Sequence, residues 1–96
     1  MSVKPDILPA VCVDHDRKKY HIEIELPGVK KSSIELEMGE RSFCIRAEKR
    51  DGVYNACYTL AHSIDRDAVE AKFESGLLMV TAPLRDSLGG IRMPIK

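Results

Sequence analysis

The chain has no surplus of charge. Fifteen lysines and arginines stand against fifteen aspartates and glutamates, for a net charge of zero, so no field of either sign steers nucleic acid or an anionic membrane toward it. The basic clusters Arg17-Lys18-Lys19, Lys30-Lys31 and Lys49-Arg50 are each bracketed by Asp or Glu and read as solvated faces. No apolar run approaches a membrane span, and the start Met-Ser-Val-Lys-Pro-Asp lacks the apolar core of a signal peptide. The three cysteines, an odd number without CxxC spacing, argue against a disulfide framework and for reduced thiols in the cytoplasm.

Catalytic and cofactor signatures are equally scarce. Cys12, Cys44 and Cys57 fall on separate expected strands and His15, His21 and His62 at unrelated positions, without the close pairing of zinc ligands. The cysteines therefore read as small buried hydrophobes and the histidines as surface residues. His62, Ser63 and Asp65 are near neighbours in sequence, and such residues rarely converge on one reacting atom; Asp14-His15-Asp16 reads the same way. Gly89-Gly90 precedes no helix and makes no phosphate cradle. The expectation is a protein without catalysis, metal or cofactor.

What is present is alternation. Ninety-six residues make one domain, and with three Tyr and two Phe its core leans on Val, Ile, Leu and Met. Val69, Ala71 and Phe73 alternate with Glu70, Lys72 and Glu74, the period-2 pattern of a strand with one wet face. Ser75-Gly76 supplies a tight turn. The return run Leu77-Leu78-Met79-Val80-Thr81-Ala82 is apolar on both faces and reads as a strand covered on both sides, ended by Pro83. Earlier, Tyr20, Ile22, Ile24 and Leu26 oppose His21, Glu23 and Glu25. Ile34-Glu35-Leu36-Glu37-Met38 alternates as cleanly; Phe43, Ile45 and Ala47 share a face, as do Tyr54, Ala56, Tyr58 and Leu60. Residues 10–14 alternate weakly. Pro27-Gly28 and Asp51-Gly52 mark turns, Ile64 reads as a plug and Asp65 as the cap of one short helical turn. Seven short strands between Gly/Pro/Asp turns, with no long helical period, predict an all-β, two-sheet antiparallel sandwich.

Several stretches resemble the alpha-crystallin domain of the small heat-shock proteins. Glu25-Leu26-Pro27-Gly28-Val29 followed by Ile34-Glu35-Leu36 is similar to that family's "LPG-hydrophobic, then I-x-(V/L)" stretch. Tyr58-Thr59-Leu60 with Ile64-Asp65-x-Asp67 resembles "F-x-L-P … V-D-x-D". Ala71-x-x-x-Ser75-Gly76-Leu77-Leu78-x-Val80-Thr81-x-Pro83 resembles "A-x-x-x-(N/D)-G-V-L-x-V-x-x-P". Ile91-x-Met93-Pro94-Ile95 is similar to the I-x-I/V motif that follows the domain. The resemblance spans roughly residues 10 to 95, and its order and spacing make it specific.

The resemblance implies an immunoglobulin-like β-sandwich acting as an ATP-independent holdase for non-native client proteins. It further implies a homo-oligomer in which the terminal motif inserts into a groove between strands 34–38 and 69–74. The expected groove residues are Ile34, Leu36, Met38, Val69, Ala71 and Phe73; the expected inserting residues are Ile91, Met93 and Ile95. Residues 1–9 form a short arm, 10–83 the sandwich, and 84–96 a linker and tail.

Three departures stand out. Ala56 occupies the place of the family's arginine before the aromatic. The stretch from Ala47 to Tyr54 is too short for an exchanged strand, and residues 1–9 are too short for the long apolar arm. A short-looped, armless sandwich also resembles CS-domain co-chaperones, which dock on a partner chaperone.

The tail also stands on its own residues. Ile91, Met93 and Ile95 share one side of an extended strand, with Arg92 and Pro94 on the other, and Pro94 lowers the cost of ordering it. That pattern fits addition of a strand to a sheet edge, on its own domain or a neighbour's.

Overall fold

The computed structural model describes residues 3–86 and 93–96. The described residues form eight strands: β1 (Asp6–Ile7), β2 (Ala10–His15), β3 (Lys19–Glu25), β4 (Ile34–Met38), β5 (Ser42–Lys49), β6 (Gly52–Thr59), β7 (Glu70–Glu74) and β8 (Leu77–Pro83). They make two sheets of four, ordered β1-β6-β5-β4 and β2-β3-β8-β7. Every ladder is antiparallel except the short β1–β6 pair. The architecture is the expected all-β sandwich.

Alternation decides what lies between the sheets. Tyr20, Ile22 and Ile24 of β3 are buried while Lys19, His21, Glu23 and Glu25 face water. Phe43, Ile45 and Ala47 face them from β5, and Leu78, Val80 and Ala82 from β8. Fully burying an aliphatic side chain of this size contributes about 1.5–3 kcal/mol relative to exposure, so these rows hold the layers together. Leu60, Ile64 and Leu84 close one end. Ile64 is the plug its position suggested: it bridges Leu84, and its N–H donates to Glu40 O at 2.9 Å. Asp65 accepts from Asp67 N–H at 3.1 Å and caps a single 3-10 turn, Arg66–Ala68.

Two readings are corrected. β8 is not covered on both sides: Leu78, Val80 and Ala82 are buried, but Leu77, Met79 and Thr81 on the outer face are only half-buried. Their neighbours in register are Glu25, Glu23 and His21 on β3 and Glu74, Lys72 and Glu70 on β7, whose long side chains screen them in place of another layer. The first segment is also more than an arm, since Asp6–Ile7 pair in parallel with Val53–Tyr54. Lys4 fixes that segment through Glu48 at 2.7 Å and Lys49 O at 3.0 Å. The same ammonium holds the Glu48 carboxyl below its ordinary range. Gly52 belongs to this contact, because a Cβ there would collide with the Ile7 side chain and press on Pro5 O.

The β2–β3 turn is tied by one carboxylate. Asp16 accepts from Lys18 N–H at 2.7 Å and Lys19 N–H at 2.8 Å, and pairs with His21 Nε2 at 3.1 Å. The Lys18 amide first, then the His21 ring and the Lys19 amide, hold its carboxyl far below the usual carboxylate range. Because the folded pKa is depressed, this contribution is complete above the unfolded value of about 4 and is lost as pH falls through the folded one. Asp16→Ala should therefore lower the melting temperature at neutral pH. The gap from the parent should close progressively below about pH 4, as thermal melts across an acid series would record.

Candidate functional site

Short connections decide which strands share a margin of the sandwich. Only Leu8 and Pro9 separate β1 from β2, so the β1–β6 edge of one sheet lies beside the β2 edge of the other. The opposite margin is then bounded by β4 and β7, the last strand of each sheet. On β4, Ile34, Leu36 and Met38 stand opposite the buried Ala47, Ile45 and Phe43, so they face the gap between the sheets; all three are half-buried. On β7, Ala71 and Phe73 stand opposite Val80 and Leu78 and face the same gap. Phe73 and the preceding Val69 are half-buried and pack on the core, whereas Ala71 is exposed. The six residues expected to form a groove thus fall on the two edge strands β4 and β7 and on the position before β7, five of them half-buried.

The backbone of this margin is equally defined. Gly39 N–H donates to Ser42 O at 2.8 Å and Leu60 N–H to Arg41 O at 2.7 Å. In an antiparallel ladder both polar groups of a residue point to the same side and alternate along the strand. Counting from those bonds, Glu35 and Glu37 direct their N–H and C=O at β5. Leu36 and Met38 direct theirs away from the sheet, as does the C=O of Ile34; the Ile34 N–H is already used by Lys31 O. The residues whose side chains enter the gap are therefore the ones whose backbone groups line the open edge. Glu35 and Glu37 lie on the outer face and are exposed, and among the described residues neither forms an ion pair.

The segment expected to insert is only partly visible. Ile91 lies outside the described residues. Met93 and Ile95 are 72% and 97% exposed, so in this structure neither is seated in a groove. Upstream, Arg85 N–H donates to Ser63 O at 3.0 Å and the Arg85 guanidinium pairs with Glu40, which places the chain's departure beside the end of β4.

The cysteines and histidines depart from expectation. Cys44 and Cys57 are partners across β5 and β6, with Cα atoms 4.1 Å apart, and they form a disulfide. They stand 13 positions apart in sequence, and only the strand register brings them together. Cys12, expected to be buried, is exposed on β2. His15 and His62 are not unrelated: their rings stand 5.2 Å apart edge to face, and His15 packs on Tyr20 at the same separation. The Tyr20 hydroxyl accepts from His62 N–H at 3.0 Å and locks this end of the sandwich. Among the described residues no group of three or more His, Cys, Asp or Glu side chains is arranged to hold a metal ion.

These features define the class: an alpha-crystallin-type two-sheet β-sandwich. The model of the PIH1 CS-like domain family matches residues 12–85, and the chain belongs to that family. Its relatives include small heat shock proteins. It is 27% identical over 100 residues to heat shock protein 16 of Schizosaccharomyces pombe, covering 85% of this chain and 70% of that protein. It is 23% identical over 101 residues to small heat shock protein C2 of Rickettsia felis, covering 88% and 66%. The chain thus spans about two thirds of the length of these curated relatives. Heat shock protein 16.0 from Schizosaccharomyces pombe superposes with a TM-score of 0.77 and 27% identity, covering 94% of this chain and 99% of that one.

The thiol arrangement is directly measurable. A maleimide added to the native, unreduced protein should label Cys12 alone. Labelling after reduction and unfolding should reach all three cysteines, so intact mass should rise from one adduct to three; three adducts without reductant would remove the Cys44–Cys57 bond.

Proposed function

We propose that this domain is an ATP-independent holdase that binds extended apolar segments of non-native proteins along the β4–β7 margin. It self-associates as a homo-oligomer when Ile91, Met93 and Ile95 of one copy occupy the same margin of another. The observation that carries this reading is the coincidence on β4 of half-buried apolar side chains with backbone groups facing outward. An unfolding client offers the complement: a strand with free N–H and C=O and alternate apolar residues.

Magnitudes support binding without nucleotide. At about 25 cal/mol per Å² of apolar area removed from water, a few side chains seated in the gap offset the cost of ordering a short segment. The edge hydrogen bonds read no sequence, which suits a binder of many clients. The likeness to proteins named heat shock proteins points the same way. Non-native proteins are its partners in this reading.

The family match favours one second reading. A PIH1 CS-like domain is also a candidate docking module for a single folded partner, such as another chaperone. The two readings separate by substrate range. A holdase delays aggregation of several unrelated heat- or reductant-denatured proteins at near-stoichiometric ratios; a docking module protects none of them.

Replacing Ile91, Met93 and Ile95 together by serine should lower the solution mass measured by light scattering. Suppression of client aggregation should survive or improve, because the margin is left open. An unchanged mass removes the self-association reading, and absence of suppression by both proteins removes the holdase.

A further inference from the structure

We propose that the Cys44–Cys57 pair is a thiol–disulfide exchange site, open on the outer face of its sheet to small thiols of the glutathione class. The redox state of those thiols then sets how firmly β5 and β6 are joined. This inference stands apart from the docking reading, since neither sulfur faces the gap between the sheets.

The register forces the two sulfurs together. Leu60 N–H donates to Arg41 O at 2.7 Å. Counting along the ladder from that bond, Phe43–Tyr58 and Ile45–Ala56 exchange hydrogen bonds and Cys44–Cys57 does not. Side chains approach most closely at a pair of the second kind, and these Cα atoms are 4.1 Å apart. Phe43 and Ile45 are buried in the core, which turns Cys44 to the opposite face. There Cys44 is half-buried and Cys57 exposed, in an open groove lined also by Glu35, Glu37, Arg46 and Asn55.

Two features choose the sulfur that is attacked. Cys57 is the exposed one, and β1 covers β6 only at Val53–Tyr54. Cys44 stands opposite Glu37, whose carboxylate repels an incoming thiolate. A small thiolate therefore attacks Cys57, forms a mixed disulfide there and releases Cys44 as a thiolate, which takes a proton from water. A second small thiolate attacks the small-molecule sulfur of the mixed disulfide and releases Cys57, which is protonated in turn. Two electrons pass from two small thiols to the pair, leaving two protein thiols and one small-molecule disulfide. An excess of that disulfide runs the sequence backwards.

The register does not need the covalent bond. All eight residues of β5 pair with β6, and Phe43, Ile45 and Ala47 are anchored in the core on the inner face. Cleavage thus leaves the two thiols side by side, able to close again without rearrangement. What the bond adds is a constraint on the unfolded chain, so oxidation raises the temperature at which the domain opens.

The test uses the full chain in buffers of reduced and oxidised glutathione, with samples quenched in acid, then unfolded and labelled with maleimide. Millimolar reduced glutathione should raise the adducts from one to three without denaturant. The rate should rise in proportion to thiol concentration and stay flat in low urea, because the folded protein is the species attacked. Oxidised glutathione should close the pair again. Reduction should lower the melting temperature by about 10 °C or more, and Cys44→Val with Cys57→Val should melt the same in both buffers. The redox series on the parent protein stands without that variant. A bond that survives excess reduced glutathione is a structural one and overturns the proposal. So does an opening rate that climbs with urea as steeply as global unfolding. Equal melting temperatures for the two redox states would overturn the claimed hold on β5 and β6.

Discussion

An antiparallel strand cannot choose its side-chain face and its hydrogen-bonding direction independently. Each residue that turns inward also commits its N–H and C=O to one lateral direction, and the next residue takes the opposite of both. In this sandwich β5 sets that phase for its whole sheet through the Gly39–Ser42 and Arg41–Leu60 bonds. Three consequences follow. Phe43, Ile45 and Ala47 turn toward β3 and β8 and make the core. Cys44 turns outward in register with Cys57, close enough for a covalent bond. On the adjacent strand, the inward residues of β4 are those with backbone groups left facing outward.

The sheets could be read from the sequence because their alternation is strict where burial is complete. Tyr20, Ile22 and Ile24 oppose polar neighbours without exception, so the β3 pattern has one solution. The groove was expected from a family likeness and from the apolar set of residues 91, 93 and 95, rather than from β4 alone. What could not be read depends on contacts distant in sequence. β1 is two residues long and pairs in parallel, too short for any period. The Cys44–Cys57 bond exists because Ile45 pairs with Ala56, and no spacing rule encodes that register. His15 meets His62 for the same kind of reason, across the closed end of the sandwich. β8 was over-read because Leu77 and Met79 are apolar; flanking Glu23, Glu25 and Lys72 side chains are enough to shelter them.

Sheet edges are hazards that proteins blunt with short strands, charge or cover. This chain treats its edges differently. β1 covers part of β6, and its upstream segment is pinned by Lys4 to Glu48. β7 carries a mixture of Glu and Lys, with one internal pair. β4 keeps a half-buried apolar face behind an edge guarded only by Glu35 and Glu37. Arg46 stands opposite Glu35, so part of that acid is balanced within its own sheet. An edge that keeps an apolar inner face behind it is one that a further strand can extend.

The fold alone does not decide between a holdase and a docking module, because the same sandwich carries both and function resides in what the edges admit. In the holdase reading two layers of recognition are superimposed on β4. Backbone groups accept any extended chain, and the gap favours one with alternate apolar residues. A client and the chain's own tail then compete for one edge by mass action, and occupancy follows the supply of non-native protein.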